Sequence, residues 1–251
     1  FRARERSQKR KVLLMIDHYV PHFDKDAGSR TLFHYLKIFV SKGYSIKLIG
    51  DNFYKHEPYT TIFQQMGIEV LYGVYYAENW ENWIKLNGEE IDYIWINRPH
   101  ISIKYIDILR EYTKARIMYY GMDLHFLRIQ REYEVSHDKA LIKESKEWQE
   151  KEFYLMKRSD ISYTLSNVEV EVVHKIDSSI PMRIIKTFAY EQFRENVPLN
   201  FEERNHIMFV GGFTHTPNED AMLWFVKEVF PLITSRIDIS LYIVGASPTA
   251  K

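Results

Sequence analysis

The chain has 251 residues, 45% of them apolar, with Lys plus Arg and Asp plus Glu equal at 34 each, and no cysteine. An apolar fraction of that size fills a large core in one or two domains, and the balanced charge excludes a global field drawing the protein to nucleic acid or a membrane surface. Without cysteine there is no disulfide framework and no thiolate zinc site, which fits a reducing, cytoplasmic compartment, and no apolar run approaches the roughly 20 residues that span a bilayer.

In chain order, "FRARERSQKRK" reads as a solvated basic linker over residues 1–10, arriving from an upstream segment. Apolar strands then alternate with longer amphipathic segments, the signature of an α/β domain with a parallel sheet. Strands are expected at "KVLLMID" (11–17), "SIKLIGD" (45–51), "EVLYG" (69–73), "YIWINR" (93–98), "RIMYYG" (116–121), "ISYTLS" (161–166) and "MRIIKTF" (182–188). Helices fall between them. The clearest is "SRTLFHYLKIFVSKG" (29–43), where Leu32, Tyr35, Leu36, Phe39 and Val40 form one stripe and Gly43 suits a C-terminal cap. These elements make an N-terminal Rossmann-like domain over 11–190.

Residues 191–205 lose the apolar pattern, carry Pro198 and several charges, and read as an interdomain linker. A second domain opens over 206–251, with a strand "HIMFVGG", a helix from about Asn218 to Val229 and a strand "ISLYIVG". It ends on a strand and the start of a loop, so the chain is expected to be covalently part of a larger one.

Chemistry in such a fold sits where strand ends meet helix starts, because free backbone N–H groups and the helix dipole there favour anions. Three stretches qualify. In "DHYVPHFDKDAGSRT" (17–31), Gly28 and Ser29 lie at a helix start. His18, His22, Asp24 and Asp26 invite a metal, but Pro21 breaks the helix that would align the histidines, and no metal is expected. In "YYGMDLHFLRIQRE" (119–132), Asp123, His125, Arg128 and Arg131 cluster; the arginines offer forks to an anion or pair along a helix. In "FVGGFTHTPNED", Gly211 and Gly212 either admit a ligand phosphate close to the main chain, adopt a positive φ, or simply make a tight turn. Ser166 and Glu169 form an S-x-x-E capping box. Glu89 and Glu90 read as a polar loop pointing apart, not a hydrolase pair. Trp80 and Trp83 mark a buried helix face or a sugar-stacking surface beside Tyr75 and Tyr76.

"IDHYVPHFDKDAGSRT", "YGMDLHFLRIQRE", "LSNVEVEVV" and "FVGGFTHTPNEDAMLWFVKEVFPLI" followed by "LYIVG" resemble successive landmarks of the GT-B glycosyltransferases, specifically the retaining family 4 group, from residue 11 onward. The resemblance implies two Rossmann-like domains facing a cleft, a nucleotide-diphosphate sugar as donor, and a glycan, lipid-linked or protein acceptor. It implies no resident cofactor or metal, and at most peripheral contact with the inner face of a membrane. Carried over, His125 faces the donor sugar as the catalytic-site histidine, with Asp123 and Arg128 beside it. Gly28 and Ser29 lie near the donor phosphates and acceptor, Gly211, Gly212, Phe213 and Thr214 line the diphosphate turn, and Gly245 lies near the base. The Arg and Lys that many members place shortly after the glycine turn are missing, leaving His215 and Asn218 as substitutes, and the Glu-x7-Glu signature that grips the donor is expected only past Lys251. A non-catalytic glycan-binding module and a sugar-nucleotide epimerase stay open as alternatives.

Overall fold

The computed structural model of the chain describes residues 10–187, 195 and 200–248. The basic opening segment, Phe188 and most of the 191–205 linker lie outside the described residues. The chain divides into two compact units, Phe1–Tyr190 and Glu191–Lys251.

In the first unit, strands β1 (Val12–Asp17), β2 (Ser45–Gly50), β3 (Glu69–Leu71), β4 (Tyr93–Asn97), β5 (Arg116–Tyr120), β6 (Ile161–Thr164) and β7 (Met182–Ile184) form one sheet. Its order is β3-β2-β1-β4-β5-β6-β7, and every bonded pair is parallel. Helices α1 (Ala27–Ser41), α2 (Tyr59–Gln65), α3 (Val74–Asn87), α4 (Pro99–Tyr112), α5 (His125–Ser136), α6 (Ala140–Arg158) and α7 (Asn167–Ile176) make the crossovers. From β1 the chain moves outward to β3 and then resumes on the other side of β1 with β4. The crevice at the C-terminal ends of β1 and β4 is therefore the topological switch point, where open α/β sheets take ligands.

The expected α/β, Rossmann-like class is what the structure has, and the reason lies in the strands. Val12, Leu14 and Ile16 of β1 enter one core with Ile94, Ile96, Tyr105, Leu109 and Phe153, while Leu13 and Met15 enter the opposite one with Leu32, Leu36, Leu48, Phe63 and Trp95. Helices cover both faces, so the strands are apolar on both sides instead of alternating. Lys47 interrupts this pattern; its fully buried side chain pairs with Glu69 across the β2–β3 register.

Several boundaries differ from the expectation. Helix α1 starts two residues early because Asp26 caps it, accepting the Ser29 N–H at 2.8 Å. Its end is as expected: Gly43 takes φ +81°, Gly43 N–H donates to Val40 O and Tyr44 N–H to Phe39 O, and the Phe39 and Tyr44 rings meet at 5.5 Å. That is a Schellman cap with its apolar contact. Glu89 and Glu90 lie in a 3-10 turn, Gly88–Glu90, and not in an extended loop. Trp83 is buried and Trp80 packs on Tyr105 at 4.5 Å, so both serve the core.

The second unit holds β8 (Ile207–Val210) parallel to β9 (Leu241–Val244), joined through α8 (Thr216–Trp224), a π-helical segment Phe225–Val229 and α9 (Phe230–Thr234). The helical stretch is longer at both ends than the expected 218–229. Pro217 suits a first turn, where its missing N–H costs nothing, and the π segment places Pro231 in the opening turn of α9. None of the described residues of this unit is fully buried. Among the described residues no helix is long and apolar enough to cross a membrane.

Asn97 ties the switch point together. Fully buried at the end of β4, it donates from Nδ2 to Ile16 O on β1 at 2.9 Å and accepts the Trp95 indole N–H at 2.8 Å. Asn97→Ala strands the indole donor and removes a cross-strand bond, so unfolding by denaturant should show a loss of about 2 kcal/mol. A change indistinguishable from zero would contradict this account of the crevice.

Candidate functional site

Asp17 closes β1 with its carboxylate buried. It accepts the His18 N–H at 2.8 Å and Nε of Arg98 at 2.8 Å. Arg98 stands just beyond β4 as the N-cap of α4, with φ +61° and Pro99 at the first helical turn. A left-handed backbone is costly for a long side chain, and such residues gather at functional sites. The proline after it disfavours the helical region for Arg98. Sequence reasoning passed over Arg98; the available signal was the Arg-Pro pair at a strand exit.

Gly28 now has a specific reason. A Cβ there would lie 3.1 Å from Nη2 of Arg98 and 3.3 Å from Oδ1 of Asp26, so the glycine makes room for the guanidinium. Ser29 is buried, and both its N–H and its hydroxyl donate to Asp26, at 2.8 and 2.7 Å, while the Tyr19 hydroxyl donates to the same carboxylate at 2.9 Å. Burial acts to raise the pKa of Asp26, but the hydrogen bonds from Ser29 and Tyr19 and the charge of Arg98 outweigh it and hold it below the usual carboxylate range. The start of α1 was expected to offer N–H groups to an anion; at Ser29 that N–H is spent on the chain's own carboxylate.

Histidines collect along this edge of the sheet. His22 stacks on Tyr59 at 4.4 Å and meets His56 at 4.5 Å, and Tyr19 lies 4.7 Å from His22. Nε2 of His22 is buried without a hydrogen-bond partner among the described residues. Burial, first of all, pushes the pKa values of both His22 and His56 below the ordinary value. Asp24 accepts from the Tyr59 hydroxyl at 2.5 Å, Asp26 is held by Ser29 and Tyr19, and Nδ1 of His18 faces Asp17 at 3.4 Å. Among the described residues no three His, Cys, Asp or Glu side chains are placed to share a metal ion.

His125 is the first residue of α5, and the structure corrects what was expected of its surroundings. The N–H groups of His125 and Phe126 donate to the two oxygens of Glu152, at 2.9 and 3.1 Å, and Leu124 N–H donates to Glu169 at 3.1 Å. This helix start was expected to receive an anion, and two carboxylates of the protein already fill that role. The capping box is only half formed. Ser166 does cap α7 through the Glu169 N–H at 3.3 Å, but the Glu169 side chain serves Leu124 and the Thr164 hydroxyl. Nδ1 of His125 lies 3.4 Å from Asp123 O, 3.5 Å from Glu152 Oε1 and 3.7 Å from Asp123 Oδ1. The ring packs 4.9 Å from Trp148 and 6.4 Å from His100. Arg128 pairs with Asp123 at 3.1 Å, and Arg131 is exposed.

In the second unit, neither Gly211 nor Gly212 takes a positive φ, which removes one expected reason for them. Gly211 N–H donates to Val244 O, and Phe213 N–H to Ala246 O, both at 3.0 Å. A Cβ at Gly245 would overlap the Gly211 carbonyl, so that glycine serves the close approach of the two strand ends. Gly212 is different, because nothing stands within 4 Å of where its Cβ would be. Asn218, expected to face a diphosphate, donates its amide to Gly212 O at 2.8 Å and holds the turn. Thr214 is exposed ahead of α8, and Phe213 lines an apolar cleft of about 310 Å³ with Met222, Leu223, Val226 and Ile243.

No protein-family model matches the chain, and no curated protein matches it in sequence. Its fold is similar to that of UGT2 from Phytolacca americana, solved in complex with UDP-2-fluoro-glucose and pterostilbene. The TM-score is 0.53 at 8% identity, over 94% of this chain and 72% of that one. An α/β-galactoside α-2,3-sialyltransferase from the luminous marine bacterium Photobacterium phosphoreum gives a TM-score of 0.47 at 12% identity, over 96% and 76%. At this identity the likeness to UGT2 is one of fold: α/β, Rossmann-like and of GT-B type.

The histidine pair sets a pH dependence. In the folded state His22 and His56 resist protonation, while in the unfolded chain they titrate near pH 6.5. Stability should therefore be full above about pH 6.5 and fall as pH drops toward the lower folded values. The carboxylates held below their ordinary range act only at more acidic pH. Thermal unfolding between pH 7.5 and 5 should show the decline, and His22→Phe should flatten it; an unchanged slope in that variant would exclude His22 as a source.

Proposed function

We propose that the chain transfers a sugar from a nucleotide-diphosphate sugar to a glycan, lipid-linked or protein acceptor, with retention at the transferred carbon. The observation that carries this is the fold likeness to UGT2, which extends over 94% of the chain and hence over both units. Because one fold hosts many chemistries, the residue-level support comes from elsewhere: a switch-point crevice furnished with Arg98 and several histidines, and a glycine turn with free space at Gly212.

In this reading the first unit takes the acceptor and the second the donor. His125 faces the donor sugar. Gly212 leaves its backbone open to the diphosphate, Gly211, Phe213 and Thr214 complete that turn, and the Gly245 loop lies toward the base. The chemical task is to stabilise an oxocarbenium-like centre as a nucleoside diphosphate leaves, which calls for fixed positive potential at the phosphates and not for a carboxylate pair or a resident cofactor. A lipid-linked acceptor would put the enzyme at the inner face of a membrane. One observation favours the non-catalytic alternative: no Arg or Lys follows the glycine turn before Lys227, and the Asn218 amide is committed to Gly212 O.

The test is direct. UDP, GDP, dTDP and ADP sugars are screened for a rise in the melting temperature of the full chain, and product is then trapped from the radiolabelled donor with and without acceptor. Binding with transfer only when acceptor is present supports the proposal, product without acceptor points to an epimerase, and no shift by any donor defeats the donor site. Gly212→Ala sharpens the test. With open space and an ordinary φ it should change stability by less than about 0.5 kcal/mol, yet lower kcat/KM by about tenfold or more by obstructing the diphosphate.

A further inference from the structure

His125 is the residue on which the proposed site turns, and the oxygens around it restrict what it can do. Three of them converge on Nδ1: the Asp123 carbonyl at 3.4 Å, Glu152 Oε1 at 3.5 Å and Asp123 Oδ1 at 3.7 Å. A carbonyl or carboxylate oxygen only accepts, so Nδ1 is stabilised as an N–H donor. In the neutral ring the proton is then absent from Nε2, which is left as an acceptor.

Of the two carboxylates, Glu152 is the one held away from water. It is fully buried on α6, whereas Asp123 is half-exposed and pairs with Arg128 at 3.1 Å. A carboxylate away from water acts more strongly than one facing solvent. The same Oε1 that faces Nδ1 also accepts the His125 N–H at 2.9 Å, and Oε2 accepts the Phe126 N–H at 3.1 Å. One side chain thus bonds the backbone of His125 and stands beside its ring, and Trp148 packs against the imidazole at 4.9 Å.

We propose that Glu152 is a positioning residue for His125: it holds the imidazole in the Nδ1–H tautomer so that Nε2 is presented as a hydrogen-bond acceptor for a hydroxyl-bearing ligand. This rests on the transfer reading for the identity of the ligand, but not for the tautomer. While neutral, His125 accepts from a hydroxyl and does not donate to a phosphate oxygen. Holding a ring by a carboxylate at one nitrogen to define the role of the other is a general device of histidine sites. Glu169 reaches the same turn through the Leu124 N–H, and among the described residues it has no hydrogen bond or ion pair to the ring, which makes it the structural control.

The experiment is heteronuclear NMR of the ¹⁵N-labelled full chain at pH 7.5, with the His125 signals among the ten histidines identified by their loss in His125→Gln. The wild type should show protonated Nδ1 and unprotonated Nε2. In Glu152→Gln, whose amide can turn an N–H toward the ring, the tautomer populations should shift toward Nε2–H, and Glu152→Asp should retain the wild-type tautomer at least in part. Glu169→Gln should lower the melting temperature without moving the tautomer. An Nε2–H tautomer in the wild type overturns the proposal, as does an unchanged Nδ1–H tautomer in folded Glu152→Gln. Should Glu152→Gln fail to fold, the wild-type tautomer decides alone: Nδ1–H supports the proposal and Nε2–H overturns it. The measurement needs no sugar donor, so absence of transfer would leave the tautomer result standing, and transfer without the tautomer shift would remove only the role of Glu152.

Discussion

Every strand of a parallel sheet delivers its chain to the same edge, and the first N–H groups of each following helix gather there needing acceptors. The rest of the first unit depends on how that demand is met. Buried or part-buried carboxylates meet it: Asp26 for α1, Glu152 and Glu169 for the turn into α5, and Asp17 for the turn after β1. Each must be held by several donors to be tolerated away from water, which is why these turns are so heavily bonded.

That arrangement changes what the edge offers a ligand. A bare helix start attracts anions through free N–H groups, but at α1 and α5 several of those donors already have internal partners. The side-chain donors and acceptors at this edge include Arg98 at the switch point and the imidazoles of His100 and His125. In the second unit the balance is reversed. At Gly212 the main chain has open space beside it, and no Arg or Lys follows the turn until Lys227.

Much of this was legible in the sequence. Apolar runs such as "KVLLMID" identify strands buried on both faces, because only a helix-covered sheet tolerates an unbroken apolar segment. The cap at Gly43 and the cap at Ser166 were readable because each is made by residues within a few positions of one another. The candidate residues were found at strand exits because parallel topology leaves no other common edge. The two late helix starts share one origin: at α1 and at the helix beginning at Thr216, the apolar stripe begins later than the backbone conformation does, since Asp26 and Pro217 set the start and neither belongs to the stripe.

The sequence by itself determined the class of fold and the order of its strands and helices, since periodicity and local caps act over short stretches of chain. Only the tertiary structure decided which group serves which. Glu152 reaches His125 across 27 residues, Glu169 reaches Leu124 across 45, and Arg98 reaches Asp17 across 81. Those pairings exist only after the sheet has brought distant turns to one edge, and there burial removes the water that would otherwise serve each partner equally well.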